Sequence, residues 1–254
     1  MSAAADERAT SVPESRGSGL FRLHERRVQP EIMDNPALDP AEHIAALRGL
    51  SRLNFVGNNA GLIWPALRDL GRELQRPLRV LDIATGSGDV LRALARRAKR
   101  SDIPIEFSGC DISSCAIEYA RQQAAAAQTP IEFFVHDVLN RDLPTGYDAI
   151  ICSLFLHHLR RDQAVELIRR MGAACGSLMV VSDLNRTPAT LLMTLAASYA
   201  FTRSKVVHID GPRSVRAAFN VPEAKQLAHD AGLVNCTVRP AWPCRYLMIW
   251  RRPT

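Results

Sequence analysis

Several stretches of this 254-residue chain combine acids, histidines and glycines at spacings that can do chemistry. The first is Asp82-Ile83-Ala84-Thr85-Gly86-Ser87-Gly88-Asp89. Its two glycines let a backbone turn tightly and come close to a ligand. A dinucleotide loop would read Gly-x-Gly-x-x-Gly and hold a pyrophosphate. Here Ala84 precedes the two glycines and position 91 is leucine. Carboxylates on both sides disfavour a pyrophosphate and suit a cationic ligand. Downstream come Asp111, Asp137, the tandem His157-His158, and Asp183 with Asn185. A histidine with a pKa near 6.5 can take a phenol or enol proton at neutral pH, so His157 or His158 is a candidate base. The simpler alternatives are an N-cap for Asp111, a turn residue for Asp137, packing on the next helix for one histidine, and a cap for Asp183 or Asn185.

These residues need a frame that gathers them. Arg79 to Ile83 reads as a short apolar strand, followed by a helix over 89–100. Further strands are expected over 105–110, 131–136, 147–153 and 176–183, with helices over 113–127 and 162–174 between them. A helix over 222–231 precedes two final strands, 235–239 and 245–250. Strands alternating with helices imply a parallel sheet covered on both faces, and two last strands without a helix between them imply an antiparallel pair. The fold class is therefore α/β, a doubly wound, Rossmann-like sheet. Asp39-Pro40-Ala41-Glu42 carries helix-start chemistry, with Ile44, Leu47, Leu50 and Leu53 at helical spacing behind it. A second helix is expected over 60–73, where Pro65 can kink or restart it.

In this order the residues resemble class I S-adenosylmethionine (SAM) dependent methyltransferases. The string Val80-Leu81-Asp82-Ile83-Ala84-Thr85-Gly86-Ser87-Gly88-Asp89 is similar to their first motif, and looks like the branch holding ubiquinone and menaquinone C-methyltransferases. The resemblance covers roughly residues 77–185. It implies a seven-stranded mixed sheet with the last strand antiparallel, and SAM as cofactor. Carried over position by position, Asp111 would bond both ribose hydroxyls, with Ile112 beside it. Asp137 would bond the adenine amino group and the Val138 amide would meet the ring. Ala84, Thr85, Gly86 and Gly88 would line the methionine part, Asp82 would organise the loop or reach the methionyl amine through water, and Ser153 would touch SAM at the strand end. The Asn-Pro-Pro-Tyr tetrad of DNA and glutamine methyltransferases is absent after the fourth strand; Leu156-His157-His158-Leu159 instead resembles small-molecule enzymes.

Residues 1–21 read as a disordered tail, 22–76 as an N-terminal helical cover and 77–254 as the SAM-binding domain, with a substrate-cover insertion over 187–220 after the fifth strand. Leu191, Leu192, Met193, Leu195, Tyr199 and Phe201 make that insertion apolar, which suits a hydrophobic, aromatic, polyketide or quinone-like acceptor of secondary metabolism. Asp183, Asn185, His208 and Arg213 are candidate substrate contacts. The simpler reading of 205–216 is a Gly-Pro turn followed by a helix. Arg48, Arg52 and Asn54 can approach the SAM carboxylate by charge. The net charge of +6 keeps an RNA or protein methyltransferase open as an alternative, but no nucleic-acid module accompanies it. A non-methylating SAM binder or an NAD-type oxidoreductase is the further alternative. Six cysteines without a Cys-x-x-Cys pair give neither a zinc site nor a disulfide framework, so no metal is expected and a reducing, cytoplasmic setting follows. No apolar run is long enough to span a bilayer. Oligomeric state is left open.

Overall fold

The computed structural model describes residues 23–253 apart from Pro36, so the expected tail over 1–21 lies outside the described residues. Seven strands form one sheet in the order β3-β2-β1-β4-β5-β7-β6. They are β1 (Leu78–Ile83), β2 (Ile105–Asp111), β3 (Ile131–Val135), β4 (Ala149–Ser153), β5 (Leu178–Leu184), β6 (Thr237–Ala241) and β7 (Arg245–Arg251). β1 to β5 pair in parallel, whereas β7 runs against both β5 and β6. The mixed sheet with an antiparallel last strand is thus present. The strand order reverses between β1 and β4, and a crevice at the carboxyl ends of the strands is the general ligand position in such sheets.

Both faces of the sheet are covered, which explains the near-continuous apolar strands. Leu81, Ile83, Ile150, Cys152, Val181 and Tyr246 pack under α5 (Arg161–Ala174) and α8 (Val221–Asp230). Val80, Ile151, Val180 and Leu247 pack on the other face, under α2 (Asn59–Glu73) and α3 (Asp89–Arg100). The α4 helix (Ser114–Ala126) joins that second layer through Ile117, Ala120 and Ala124. Each fully buried aliphatic side chain contributes about 1.5–3 kcal/mol.

Three helices roof the strand ends. The first, α1 (Pro40–Val56), starts at an Asp39 cap whose carboxylate accepts the Ala41 and Glu42 amides. It packs against α6 (Pro188–Phe201) and α7 (Lys205–Ala217) where Gly49 meets Thr202 and Val207. A Cβ on Gly49 would stand 2.5 Å from the Thr202 hydroxyl, so a side chain there would push the roof apart.

Two proline expectations need correction. Residues 205–217 form one helix through Gly211-Pro212, not a Gly-Pro turn followed by a helix. Pro212 forgoes one backbone bond. Tertiary contacts hold the turn: Asp210 accepts the Ile32 and Met33 amides, and Gly211 faces Thr194. Likewise α2 runs unbroken through Pro65 because its buried face, Ile63, Trp64 and Leu67, is fixed in the core.

The loop after β1 depends on Gly88. Its φ is 65°, and an added Cβ would lie 2.6 Å from the Phe133 ring. Gly86 has φ 54° but open space around its Cβ position. Gly88→Ala should therefore cost about 2 kcal/mol or more, combining left-handed strain with overpacking, and Gly86→Ala about 1 kcal/mol from strain alone. Urea unfolding of the two variants checks the order; equal losses would contradict the packing argument.

Candidate functional site

One cavity of about 910 Å³ opens over the carboxyl ends of β1, β2 and β4 and beneath α1, α6 and α7. Two residues at its floor, Ala84 and Leu154, leave β1 and β4 with φ of 52° and 57°. That region favours glycine, so each costs about 1 kcal/mol of backbone strain. Ala84 stands where the resembled motif has glycine, and its backbone keeps the glycine conformation.

Asp82 is 1% exposed. Its Oδ2 accepts the Thr85 hydroxyl at 2.7 Å, and its Oδ1 is buried without a partner. Burial pushes its pKa up to about 8, with Asp89 and Asp111 adding to the effect against the Thr85 bond. Asp111 accepts the Gly86 amide on Oδ2 and the Ser113 amide on Oδ1, both at 2.9 Å. Burial raises its pKa and those two bonds oppose the rise. The carboxylate therefore ties the β1 loop to the β2 exit. The cap of α4 is Ser113, not Asp111. Ile112 is exposed at the cavity wall. Asp137 serves as a turn residue: it accepts the Leu139 and Asn140 amides and the Asn140 side-chain amide. The Asn140 side chain leads in holding its pKa down. Asp137 and Val138 both line the cavity, as does Ser153 at the end of β4.

The β4 exit coils into a single 3-10 turn, Leu156–His158, which separates the tandem histidines. His157 is 4% exposed. Its Nδ1 lies 2.7 Å from Asp183 Oδ1, and its backbone amide donates to Asp183 Oδ2 at 3.1 Å. Asp183 itself is fully buried; burial raises its pKa, but the histidine charges and hydrogen bonds win and hold it below the usual carboxylate range. It meets the cavity through His157 and does not line it. His158 Nδ1 is 2.9 Å from Asp34 Oδ2. Both Nε2 atoms face Glu31, at 3.7 and 3.9 Å. Glu31 is 7% exposed and accepts the Ser214 hydroxyl at 2.5 Å. Glu31, His157 and His158 bring three donor atoms within 4.8 Å of one another.

Glu31 and Asp34 were not singled out in the sequence, where 22–35 reads as a charged segment, irregular or short-helical; a 3-10 turn does form at Ile32–Asp34. Arg26 holds that segment down by donating to the His157 and Leu159 carbonyls at 2.9 and 2.5 Å and lying 3.7 Å over the Phe219 ring. Arg245 was also missed. It is a buried cation at the cavity wall, and its signal was a charge opening the apolar run Tyr246-Leu247-Met248-Ile249-Trp250.

Three expected substrate contacts do not reach the cavity. His208 stacks on Tyr199 and bonds the Ser198 and Thr202 carbonyls at the end of α6. Arg213 turns to the Pro30 carbonyl and to Asp210. Asn185 continues the pairing with β7 through the Cys244 carbonyl. In the roof, Arg48 lies over the Tyr119 ring and Arg52 reaches Phe201, so of the three residues expected near the SAM carboxylate only Asn54 lines the cavity.

Residues 80–176 match the family model described as "Methyltransferase domain". A demethylmenaquinone methyltransferase of Deinococcus radiodurans is 38% identical over 78 residues, 30% of this chain and 31% of that protein. The chain spans about half or less of the length of the curated relatives it matches. Among solved structures, the apo form of the SAM-dependent methyltransferase SibL superposes with a TM-score of 0.63 at 19% identity, over 91% of this chain and 64% of that one. The neocarzinostatin-biosynthesis O-methyltransferase NcsB1, with S-adenosyl-L-homocysteine (SAH) and 1,4-dihydroxy-2-naphthoic acid, gives 0.59 at 20% identity, over 87% and 61%. Residues 80–176 are thus similar to a methyltransferase domain, and the sheet has the fold of the SAM-dependent methyltransferase structures on which the chain superposes.

Proposed function

We propose that this protein transfers a methyl group from SAM to an oxygen or carbon of a small, apolar acceptor of the aromatic, polyketide or quinone-like class. One observation carries the reading: a single cavity joins the Gly86–Asp111 loop to the buried His157–Asp183 pair. The site chemistry fits the cofactor. Asp89, Asp111 and Asp137 gather negative charge at the cavity suited to a sulfonium and an ammonium, and the buried Asp82 Oδ1 lacks a donor. A cationic ligand beside Asp82 would favour its charged form.

Asp111 would take the ribose hydroxyls, since each of its oxygens has spent one lone pair on an amide. Asp137 retains acceptor capacity for the adenine amino group, with the Val138 amide and Ile112 beside the ring. Ala84, Thr85, Gly86, Gly88 and Ser153 would enclose the methionine part. When bound, SAM supplies an electrophilic methyl group that is displaced in SN2 fashion. NcsB1, whose structure contains a dihydroxynaphthoic acid, and the demethylmenaquinone methyltransferase both support an aromatic acceptor.

Between the two histidines, His157 is the base in this reading. In the neutral form of His157 an ionised Asp183 can only accept, so Nδ1 would carry the hydrogen and Nε2 would keep a lone pair for the acceptor's proton. Nε2 takes the acceptor's proton, and the resulting cation lies between Asp183 and Glu31. His158 is already charged. Burial opposes that charge, but the Asp34 bond and the charges of Glu31, Asp34 and Asp183 raise its pKa to about 9. It supplies the cation that the three carboxylates require.

Asp111→Ala should weaken SAH binding by about 2–4 kcal/mol in calorimetry. Unchanged affinity would remove Asp111 from the donor site. His157→Ala should keep SAH affinity and lower turnover of phenolic or quinol acceptors by about 10²–10⁴; full turnover would exclude it as the base. The His158 charge has its own signature. A raised folded-state pKa stabilises below the unfolded value near 6.5, and this contribution is lost as pH rises through about 9. Asp34→Asn should pull the His158 midpoint down by about one unit or more in an NMR titration. A midpoint that stays near 9 would mean that Asp34 does not hold the charge.

A further inference from the structure

Arg245 opens β7, is 8% exposed, and lines the same cavity as the histidines. Its Nε donates to Asn59 Oδ1 at 3.1 Å. Among the described residues no carboxylate lies within 4.0 Å of its guanidinium, and Nη1 and Nη2 have no protein acceptor. Asn59 Nδ2, on the side chain that braces it, is also buried without an acceptor. A guanidinium keeps its proton even when buried, so the charge cannot be shed as lysine sheds it. Burial lowers its pKa here and Asp183 opposes that fall, but no direct counter-ion is present among the described residues. Leaving a buried charge unpaired is among the costlier things a fold can do.

The surroundings show that the position is held open. Gly57 comes so near that an added Cβ would stand 3.0 Å from Nη2. Leu53, Val56, Leu184 and Met193 share the cavity wall with this guanidinium. Of the anions that fit the one free edge of this planar fork, Nη1–Nη2, a carboxylate matches in both shape and charge.

We propose that Arg245 is a carboxylate-binding residue of the cavity, braced by Asn59 and taking the carboxylate of one of the two reactants. This rests on the methyltransferase reading above. If the carboxylate is the acceptor's, the acceptor class narrows to aromatic or polyketide acids. If it is the methionyl group of the donor, Arg245 anchors SAM from the last strand.

The test is calorimetry on the full chain with SAH, and on its SAH complex with 1-hydroxy-2-naphthoate and with 1-naphthol, which lacks the carboxylate. Arg245→Gln should weaken one carboxylate ligand by about tenfold or more and leave 1-naphthol unchanged. Gly57→Ala, which keeps the arginine but crowds it, should weaken the same ligand, and thermal melts establish that both variants fold. Lost SAH affinity assigns the donor's carboxylate; loss confined to the naphthoate assigns the acceptor's. The proposal is overturned if SAH and the naphthoate both bind Arg245→Gln within about twofold of the parent, or if 1-naphthol weakens equally. If the parent chain itself binds no SAH, the methyltransferase reading falls, and this inference with it.

Discussion

The Asp183–His157 contact, 2.7 Å long and shut away from solvent, is where the sheet meets the chemistry. A carboxylate at the end of β5 has no water to turn to. It is satisfied by the imidazole, by the His157 amide and by the Leu184 amide. Those bonds join the end of β5 to the 3-10 turn after β4 and fix which ring nitrogen carries the hydrogen. Breaking one partner would leave the other buried and unpaired, a loss larger than the bond's own net contribution. The pair is therefore both a structural tie and a chemical setting, and the Glu31 segment, α7 and the Arg26 clamp are arranged around it.

The two halves of the cavity are built on different principles. The β1–β2 side is backbone architecture: a left-handed alanine, two glycines in the same conformation, and a carboxylate stitching two loops through amides. The histidine side is assembled from distant pieces. Glu31 and Asp34 come from before α1, the histidines from after β4, Asp183 from β5, and Ser214 from α7. Neither half is complete without the sheet, but only the second depends on the roof.

That difference explains what could be read from the sequence. Alternation of strands and helices, the glycine loop and the strand-end acids are local signals, and the sheet with its reversed last strand follows from them. The acids' neighbours were less legible. Ser113, read only as the first residue of the helix over 113–127, takes the cap in place of Asp111, which is spent on two amides. Pro212 and Pro65 read as breakers, yet burial of the residues around them outweighs the lost backbone bond. Glu31 and Asp34 carry no local mark at all; their meaning comes from Arg26 and Asp210, which are 184 positions apart and pin the same segment. His208 and Arg213 looked available as polar residues near an insertion, but α6 and the Pro30 carbonyl take them up.

Arginine bonding to carbonyls recurs beyond that clamp. Arg252 closes the end of α5 on the Gly172, Ala173 and Cys175 carbonyls, Arg121 reaches Phe133, and Arg170 gathers Val138, Leu139 and Arg141. A carbonyl is neutral, so each such arginine fastens a loop without spending its charge there, although Arg121 also lies 4.0 Å from Glu118. Arg26, Arg170 and Arg252, with no carboxylate within 4.0 Å among the described residues, belong to the excess of 32 Lys and Arg over 26 Asp and Glu. The isoelectric point of about 9.3 is in part a by-product of how this chain ties off its loose ends. In electrophoresis the protein would migrate as a strong base, and part of that basicity is mortar.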